Sequence, residues 1–408
     1  MSLFILSFLC ALCSATEPGL CDPATERSNQ DTRIFVVTIS PGNALWSAFG
    51  HTLLWVSDGK TETDVSYNFG TFDSSQDQLL FRYLNGTLIY RVHMEPYQND
   101  LKRYNAIENR WFVAQRLLLP PANQEKLLQN LKQYQVLENR EFLYHWANKN
   151  CATMVRDLID QSLDGNLFAQ HQKITSETYR TESLRHLWNK PLAWFGWNYV
   201  AATYTDKPRS QWELMFAPVR LRDALDNSRV QWPDGKERPL VAYTCTREAK
   251  HGFPPSSTSS KMLSYSLVGF LLSSLFVTSS LTHAKSIQKL CGLVLILMGI
   301  VSGGLGTFHA ALYWSNLEGL HPNLNQLLIS PVHFLMIPAG WLYIQNRVPR
   351  SLALLSIPFA MSVLALVLRI SDLSTQKNGA ILLLFCIFYS SVFLSSWYKC
   401  QRERQQAK

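Results

Sequence analysis

Residues 290–312 read LCGLVLILMGIVSGGLGTFHAAL, 23 positions without one Asp, Glu, Lys or Arg. At about 1.5 Å per residue, such a helix crosses the ~30 Å hydrocarbon core of a bilayer. Four more uncharged apolar stretches, at about 263–282, 326–345, 351–368 and 379–398, repeat the pattern. The C-terminal part therefore reads as an all-α bundle of five transmembrane helices. With residues 16–260 placed outside, the inner loops and tail carry Lys285, Lys289, Arg347, Arg350, Lys399, Arg402, Arg404 and Lys408. The outer loops carry Glu318, Asp372 and Lys377, with Arg369 at the border. Basic residues thus collect on one side, which is how orientation is set.

The opposite end of the chain agrees. Met1 to Ala15, MSLFILSFLCALCSA, is an apolar run closing on small residues. It reads as a secretory signal with cleavage after Ala15, although the usual positive n-region is missing. No lipobox precedes Cys10, Cys13 or Cys21, so the protein is not itself read as a lipoprotein. The expected layout is a signal at 1–15, an exported domain at 16–249 and a Pro- and Ser-rich linker, KHGFPPSSTSSK, at 250–261. A membrane domain at 262–400 and a basic tail at 401–408 complete it.

Composition fits this division. A net charge of +8 raises the possibility of a nucleic-acid binder, but charged residues make up only 17% of the 408, against about 25% in soluble domains. Disorder, collagen, coiled coil and a simple cytosolic enzyme are excluded. No phosphate loop or nucleotide fingerprint is present, and the spacing of His93 and His145 around His51 and Cys151 matches no zinc pattern. Neither cofactor, metal nor nucleic acid is expected.

Within the exported domain, Ile34–Ile39 (IFVVTI) and His51–Val56 (HTLLWV) read as strands joined through a turn at Pro41-Gly42-Asn43. Val65–Phe69, Leu88–Met94 and Trp111–Leu119 look like further strands. Helical periodicity marks Gln76–Leu84, Asn123–Val136 and Cys151–Leu163, the last with Asn150 as N-cap. Strands and helices alternate irregularly, so the domain is α+β. Trp188, Trp194, Trp197 and Tyr199 serve either as interfacial anchors or as core aromatics, the commoner outcome. The exported cysteines are Cys21, Cys151 and Cys245. In an oxidising compartment two of three tend to pair; the domain ends, Cys21 and Cys245, are the expected bridge, and Cys151 the free thiol.

The chemistry centres on two motifs. Phe49-Gly50-His51-Thr52 starts a strand with a histidine, and Gly50 leaves room for close backbone approach. Asn148-Lys149-Asn150-Cys151-Ala152-Thr153 places a cysteine in the first turn of a helix, where free N–H groups favour thiolate. A histidine beside it would take and return the proton. Asn68, in Tyr67-Asn68-Phe69-Gly70, is the expected orienter of the imidazole. The Cys151 N–H, with Asn148, Asn150 or Tyr144 nearby in sequence, is the candidate oxyanion and positioning set. From residue types alone, a small buried cysteine and a structural histidine remain the alternative.

FGHT, YNFGTF (Tyr67–Phe72), ENRWFVAQRLLL (Glu108–Leu119) and LYHWANKNCATMVRD (Leu143–Asp157) together resemble the Lnb family of bacterial lipoprotein N-acyltransferases. The likeness extends to five C-terminal membrane helices and to Leu320-His321-Pro322-Asn323-Leu324-Asn325 through Ser330-Pro331. His before Cys also resembles the circularly permuted papain-like fold. The resemblance implies an α+β permuted papain-like periplasmic domain followed by the all-α membrane bundle, in the bacterial inner membrane. It implies catalytic places for His51 and Cys151, with Asn68 as third member. The implied donor is a membrane phospholipid and the implied acceptor a diacylglyceryl-modified lipoprotein. His309, Trp314, His321, Asn323 and Asn325 are candidate substrate-lining residues, since polar groups near membrane depth tend to be functional. A membrane-anchored cysteine hydrolase and a non-enzymatic receptor or scaffold are the rival functions.

Overall fold

A computed structural model describes residues 31–72, 75, 77–256, 261–282 and 284–406. The expected signal peptide and Cys21 lie outside the described residues. The chain divides into two units. Among the described residues the first takes 31–72, Ile89–Gln172 and Met215–Phe253; the second takes 75, 77–88, Lys173–Leu214 and the residues from Pro254 onward. Part of the segment expected at 16–249 thus belongs to the unit that holds the apolar helices.

The first unit is built on a seven-stranded antiparallel sheet. Its strands are β1 (Thr32–Ile39), β2 (His51–Asp58), β3 (Thr63–Thr71), β4 (Ile89–Pro96), β5 (Phe112–Leu117), β6 (Glu141–Leu143) and β7 (Val241–Arg247), in the order β7-β5-β1-β2-β3-β4-β6. The strands expected from β-branched and aromatic runs are all present; β6 and β7 are additions. Phe35, Val37 and Ile39 of β1 and Leu53 and Trp55 of β2 alternate onto one face. There Trp55 is stacked between Phe35 at 4.1 Å and Tyr97 at 3.9 Å. Tyr97 opens α1 (Tyr97–Leu101), which runs directly into a π-helical turn, Lys102–Ile107. The remaining helices that matter for the site are α2 (Pro121–Lys132) and α3 (Cys151–Ser162).

Helix α3 begins where the sequence says it should. The Asn150 Oδ1 accepts the N–H groups of Ala152 (2.9 Å) and Thr153 (3.0 Å), and the Thr153 hydroxyl accepts the Asn150 N–H. That reciprocal box satisfies two of the four N–H groups a helix start leaves open. Val155, Leu158 and Ile159 then face the core, as their spacing demands.

In the second unit, five spans are long and apolar enough to cross a membrane among the described residues: Met262–Leu281, Lys285–Trp314, Leu324–Ile344, Val348–Ile370 and Gly379–Gln406. Their helices are α6 (Met262–Leu281), α7 (Lys285–Ala311), α8 (Met336–Ile344), α9 (Val348–Ile370) and α10 (Gly379–Gln406). The span ending in α8 starts with two short 3-10 turns, Leu324–Leu327 and Pro331–Leu335, the second opened by a reciprocal Ser330–His333 cap. It lies against a smooth face of α7. A Cβ on Gly306 would stand 2.2 Å from the Ser330 carbonyl carbon, and one on Gly303 2.5 Å from the Phe334 ring. Small residues let two membrane helices approach this closely. At the basic end, Arg402 Nη1 donates to the carbonyls of Ser280 (3.1 Å) and Leu281 (2.9 Å), closing the C-terminus of α6.

The aromatic stretch expected at 182–200 lies in this second unit, in α4 (Tyr179–His186) and α5 (Pro191–Val200). Trp194 and Tyr199 are buried, Trp194 at 5.4 Å from Tyr265 and Tyr199 with its hydroxyl on the Leu305 carbonyl. Trp188 is half-exposed.

Candidate active site

His51 is the first residue of β2, opposite Ile39 of β1. Gly50 before it has φ +83°, and a Cβ there would lie 2.5 Å from the Ile39 carbonyl oxygen, so only glycine delivers the chain into the strand at this angle. The register pairs Leu53 with Asn68 and Trp55 with Ser66. Asn68 and Ser66 therefore share the sheet face of His51. His51 Nε2 stands 2.7 Å from Asn68 Oδ1, bringing together two of the three residues expected at the site.

The strand bends at this point. Asn68 Oδ1 also accepts the N–H of Gly70 (3.1 Å), two residues on, and the pairing of β3 with β4 shifts register between Asn68 and Thr71. Such a bulge re-aims the chain. Here it lays the bare Gly70 backbone against the imidazole: a Cβ on Gly70 would be 2.2 Å from His51 Cε1.

Cys151 is a free, half-buried thiol at the start of α3. That helix packs on β2 and β3, and the backbone N–H groups of Thr52, the residue after His51, of Ala152 and of Cys151 itself all favour the thiolate form of the sulfur. The pairing of β2 with β3 starts only at Leu53, so residues 51 and 52 have no β3 partner in the register. Of the first four N–H groups of α3, those of Ala152 and Thr153 go to Asn150 Oδ1 and that of Met154 to the Asn150 carbonyl. The Cys151 N–H is not taken up by the Asn150 cap and is among the groups that favour thiolate on its own sulfur.

The electrostatics depart from expectation. Burial pushes the Cys151 thiol up to about 11, outweighing the N–H groups of Thr52, Ala152 and Cys151 and the charge of Arg110, which favour thiolate. Burial likewise holds His51 down at about 4, reinforced by Arg110 and Arg103 and opposed by the Asn68 bond. The helix start acts in the anticipated direction, but loss of water is the larger effect. At neutral pH the resting pair is thiol and neutral imidazole, not thiolate and imidazolium.

Behind Asn68 lies a layer the sequence did not reveal. Asn68 Nδ2 donates to Asp100 Oδ1 (3.3 Å) and to the Tyr104 hydroxyl (3.1 Å). Asp100 is fully buried and receives the Ser66 hydroxyl and Arg103 Nη1. Burial raises its carboxyl above the ordinary range, as does Glu95, against the lowering effect of Ser66, Arg103 and Asn68. The Tyr104 ring lies 5.6 Å from the His51 ring, with the Arg110 guanidinium 5.2 Å from it. Arg110 is 2% exposed and bonds the Ser40 carbonyl (2.6 Å) and Glu108 (2.8 Å). The one available signal was the i, i+4 spacing of Asp100 and Tyr104, which puts both on one face of a helical segment.

The other expected residues go elsewhere. Asn150 is spent on the cap: besides its Oδ1 bonds, Nδ2 donates to the carbonyls of Trp146 (2.8 Å) and Phe216 (3.0 Å). It is therefore a structural cap and no oxyanion donor. Tyr144 stacks on Tyr90 at 4.2 Å, and Asn148 is exposed, its backbone N–H donating to His145 Nδ1. Cys245 is disulfide-bonded, and its expected partner Cys21 lies outside the described residues.

In the second unit, Asn323 and Asn325 are buried in a lattice of bonds, not open to a substrate. Asn323 Nδ2 donates to the Tyr199 and Val200 carbonyls, and Asn325 Nδ2 to those of Asn198 and Tyr199. Gln376 and Asn378 complete it through Asn323 Oδ1 (2.8 Å) and Asn325 Oδ1 (2.6 Å). Next to them Arg180 holds Asp206 through Nε (2.7 Å) and Nη2 (3.0 Å). His309 is fully buried with its ring 4.8 Å from Tyr199, His321 stacks on Tyr313, and Trp314 is 81% exposed.

No curated protein and no solved structure matches the chain. Residues 23–189 match the family model described as the Lnb N-terminal periplasmic domain, a span that contains His51, Asn68, Asp100 and Cys151. With five apolar spans following, the chain is consistent with an Lnb-type membrane protein that carries a periplasmic domain.

Proposed function

We propose that the protein is a lipoprotein N-acyltransferase of the bacterial inner membrane, with its Cys–His domain in the periplasm in a permuted papain-like arrangement. The observation that carries this reading is a free thiol in the first turn of α3, a helix that packs on the strand headed by a histidine 2.7 Å from the Asn68 amide oxygen. His51 donates through Nε2 to Asn68, which leaves Nδ1 as its basic nitrogen.

In the first half-reaction Cys151 Sγ attacks an ester carbonyl of a phospholipid while its proton passes to His51. The carbonyl oxygen takes the negative charge, facing the Cys151 N–H. The C–O bond then breaks, His51 returns the proton to the departing lysophospholipid oxygen, and a thioester remains on Cys151. In the second, the neutral amine of a diacylglyceryl-cysteine attacks the thioester. His51 removes its proton and gives it to the leaving sulfur, and an amide forms. Because the resting thiol is protonated, base assistance from His51 is required at the moment of attack.

Intact-mass measurement of the full chain incubated with phospholipid tests this. The expected result is an added acyl mass on wild type that is absent in Cys151→Ala and His51→Ala. Adding diacylglyceryl lipoprotein should discharge it onto the lipoprotein amine. Discharge to water alone would make the protein a hydrolase, and no adduct at all would remove the enzymatic reading.

A further inference from the structure

We propose that Asp100 is a positioning residue that sets the tautomer of His51 through Asn68. This rests on the reading of His51 as the base of the site, and the geometry reaches one step beyond the Cys–His–Asn set.

An amide has two nearly isosteric edges, and only its neighbours decide which faces the histidine. The Asp100 carboxylate can only accept. It is already receiving Arg103 Nη1 at 3.1 Å and the Ser66 hydroxyl, so Asn68 must turn its NH2 toward it. The carbonyl edge then faces His51 at 2.7 Å. An oxygen has no proton to give, so the ring must carry its proton on Nε2 and present Nδ1 as a lone pair. The Gly70 N–H, at 3.1 Å from the same oxygen, marks the same orientation, but Asp100 contributes the charged partner of the opposite edge. Tyr104 is the second acceptor there, and its hydroxyl can either give or take. Asp100 is therefore the member of the network that cannot tolerate a reversed amide. Ser66 and Arg103 hold Asp100 in place, and Glu95, whose like charge opposes that of Asp100, is itself paired with Arg103.

The test compares wild type, Asp100→Asn and the exchanged pair Asn68→Asp/Asp100→Asn in the full chain. The readouts are His51 tautomer by 15N NMR, assigned by difference from His51→Gln, and the rate of Cys151 acylation. Wild type is expected to show Nε2–H. In Asp100→Asn the new amide can face Asn68 with either edge, so a Nδ1–H population should emerge. Acylation should then fall about 10- to 100-fold, part of the roughly 10²–10⁴ that a positioned base supplies. In the exchanged pair a carboxylate again faces the ring, so Nε2–H and most of the rate should return. A structural role alone would not move the tautomer. Nδ1–H in wild type, an unaltered tautomer in Asp100→Asn, or no recovery of tautomer in the exchanged pair would each overturn the proposal. If Asp100→Asn fails to fold, Asp100→Ala takes its place: the charged acceptor is again removed, a Nδ1–H population is again expected, and an unaltered tautomer would overturn the proposal. Tautomer changes without any acyl-enzyme in wild type would leave the role of Asp100 standing and overturn the acyl-transfer reading instead.

Discussion

The closest contact in the site makes Gly70→Ala the sharpest perturbation. A Cβ at position 70 would lie 2.2 Å from His51 Cε1, 2.9 Å from Nδ1 and 3.2 Å from Nε2. Ordinary contact begins near 3.4 Å, so the ring must retreat by about 1 Å. The Gly70 backbone is itself tied to Asn68 Oδ1 and cannot easily yield. A retreat of that size stretches the 2.7 Å His51–Asn68 bond beyond useful hydrogen-bond length. Misplacing a reacting group by ~1 Å costs about 100-fold in rate, equivalent to about 2.7 kcal/mol of barrier. The stability cost is smaller, about 1–2 kcal/mol for one lost and half-replaced buried bond. The assay is Cys151 acylation followed by intact mass, alongside thermal unfolding. Gly196→Ala is the control: nothing lies within 4 Å of a Cβ there, and alanine favours the α5 interior by up to about 1 kcal/mol. Acylation of Gly70→Ala at the wild-type rate would show that the imidazole position is not what the site depends on.

Stability should vary with pH in two windows. His51 titrates at about 4 when folded and about 6.5 unfolded, so the unfolded state binds more protons between those values. Stability is then lost as pH falls through this window, by up to about 3 kcal/mol, and His51→Gln should flatten that limb in denaturant titrations. For Cys151, raised to about 11, stability is lost as pH rises from about 9 to 11, and Cys151→Ala should remove that limb. Asp206→Ala would strand the buried Arg180 guanidinium, which now has two bonds to Asp206. A loss of about 3–5 kcal/mol is expected by chemical denaturation; a loss below 1 would mean that carbonyls alone satisfy Arg180. Gly306→Val places atoms 2.2 Å from the Ser330 backbone and should sharply lower the folded yield, whereas Gly304→Ala, with nothing within 4 Å, should leave it unchanged.

Local signals carried the elements. Runs of β-branched and aromatic residues gave β1 to β3, Asn150 as N-cap gave the start of α3, and uncharged runs gave the five membrane spans, because each depends on residues close together in the chain. The strand that begins at His51 and the helix that begins at Cys151 were legible for the same reason. Asn150 was legible as a cap but not as fully spent by it, since the Trp146 and Phe216 carbonyls come from elsewhere. Asn323 and Asn325 looked like lining residues because polar side chains near membrane depth stand out. Their partners at 198–200, 376 and 378 are distant in sequence.

The amino-acid order by itself determined that a two-part chain exists, mixed α+β at one end and apolar at the other, and which cysteine and histidine head their elements. Only the tertiary structure decided what surrounds them: the Asp100–Asn68 layer, the Gly70 contact, and the burial that pushes the thiol up and the imidazole down. The reason is physical. Periodicity and capping are set by neighbours along the backbone, whereas a proton's free energy is set by water excluded through packing of segments dozens of residues apart.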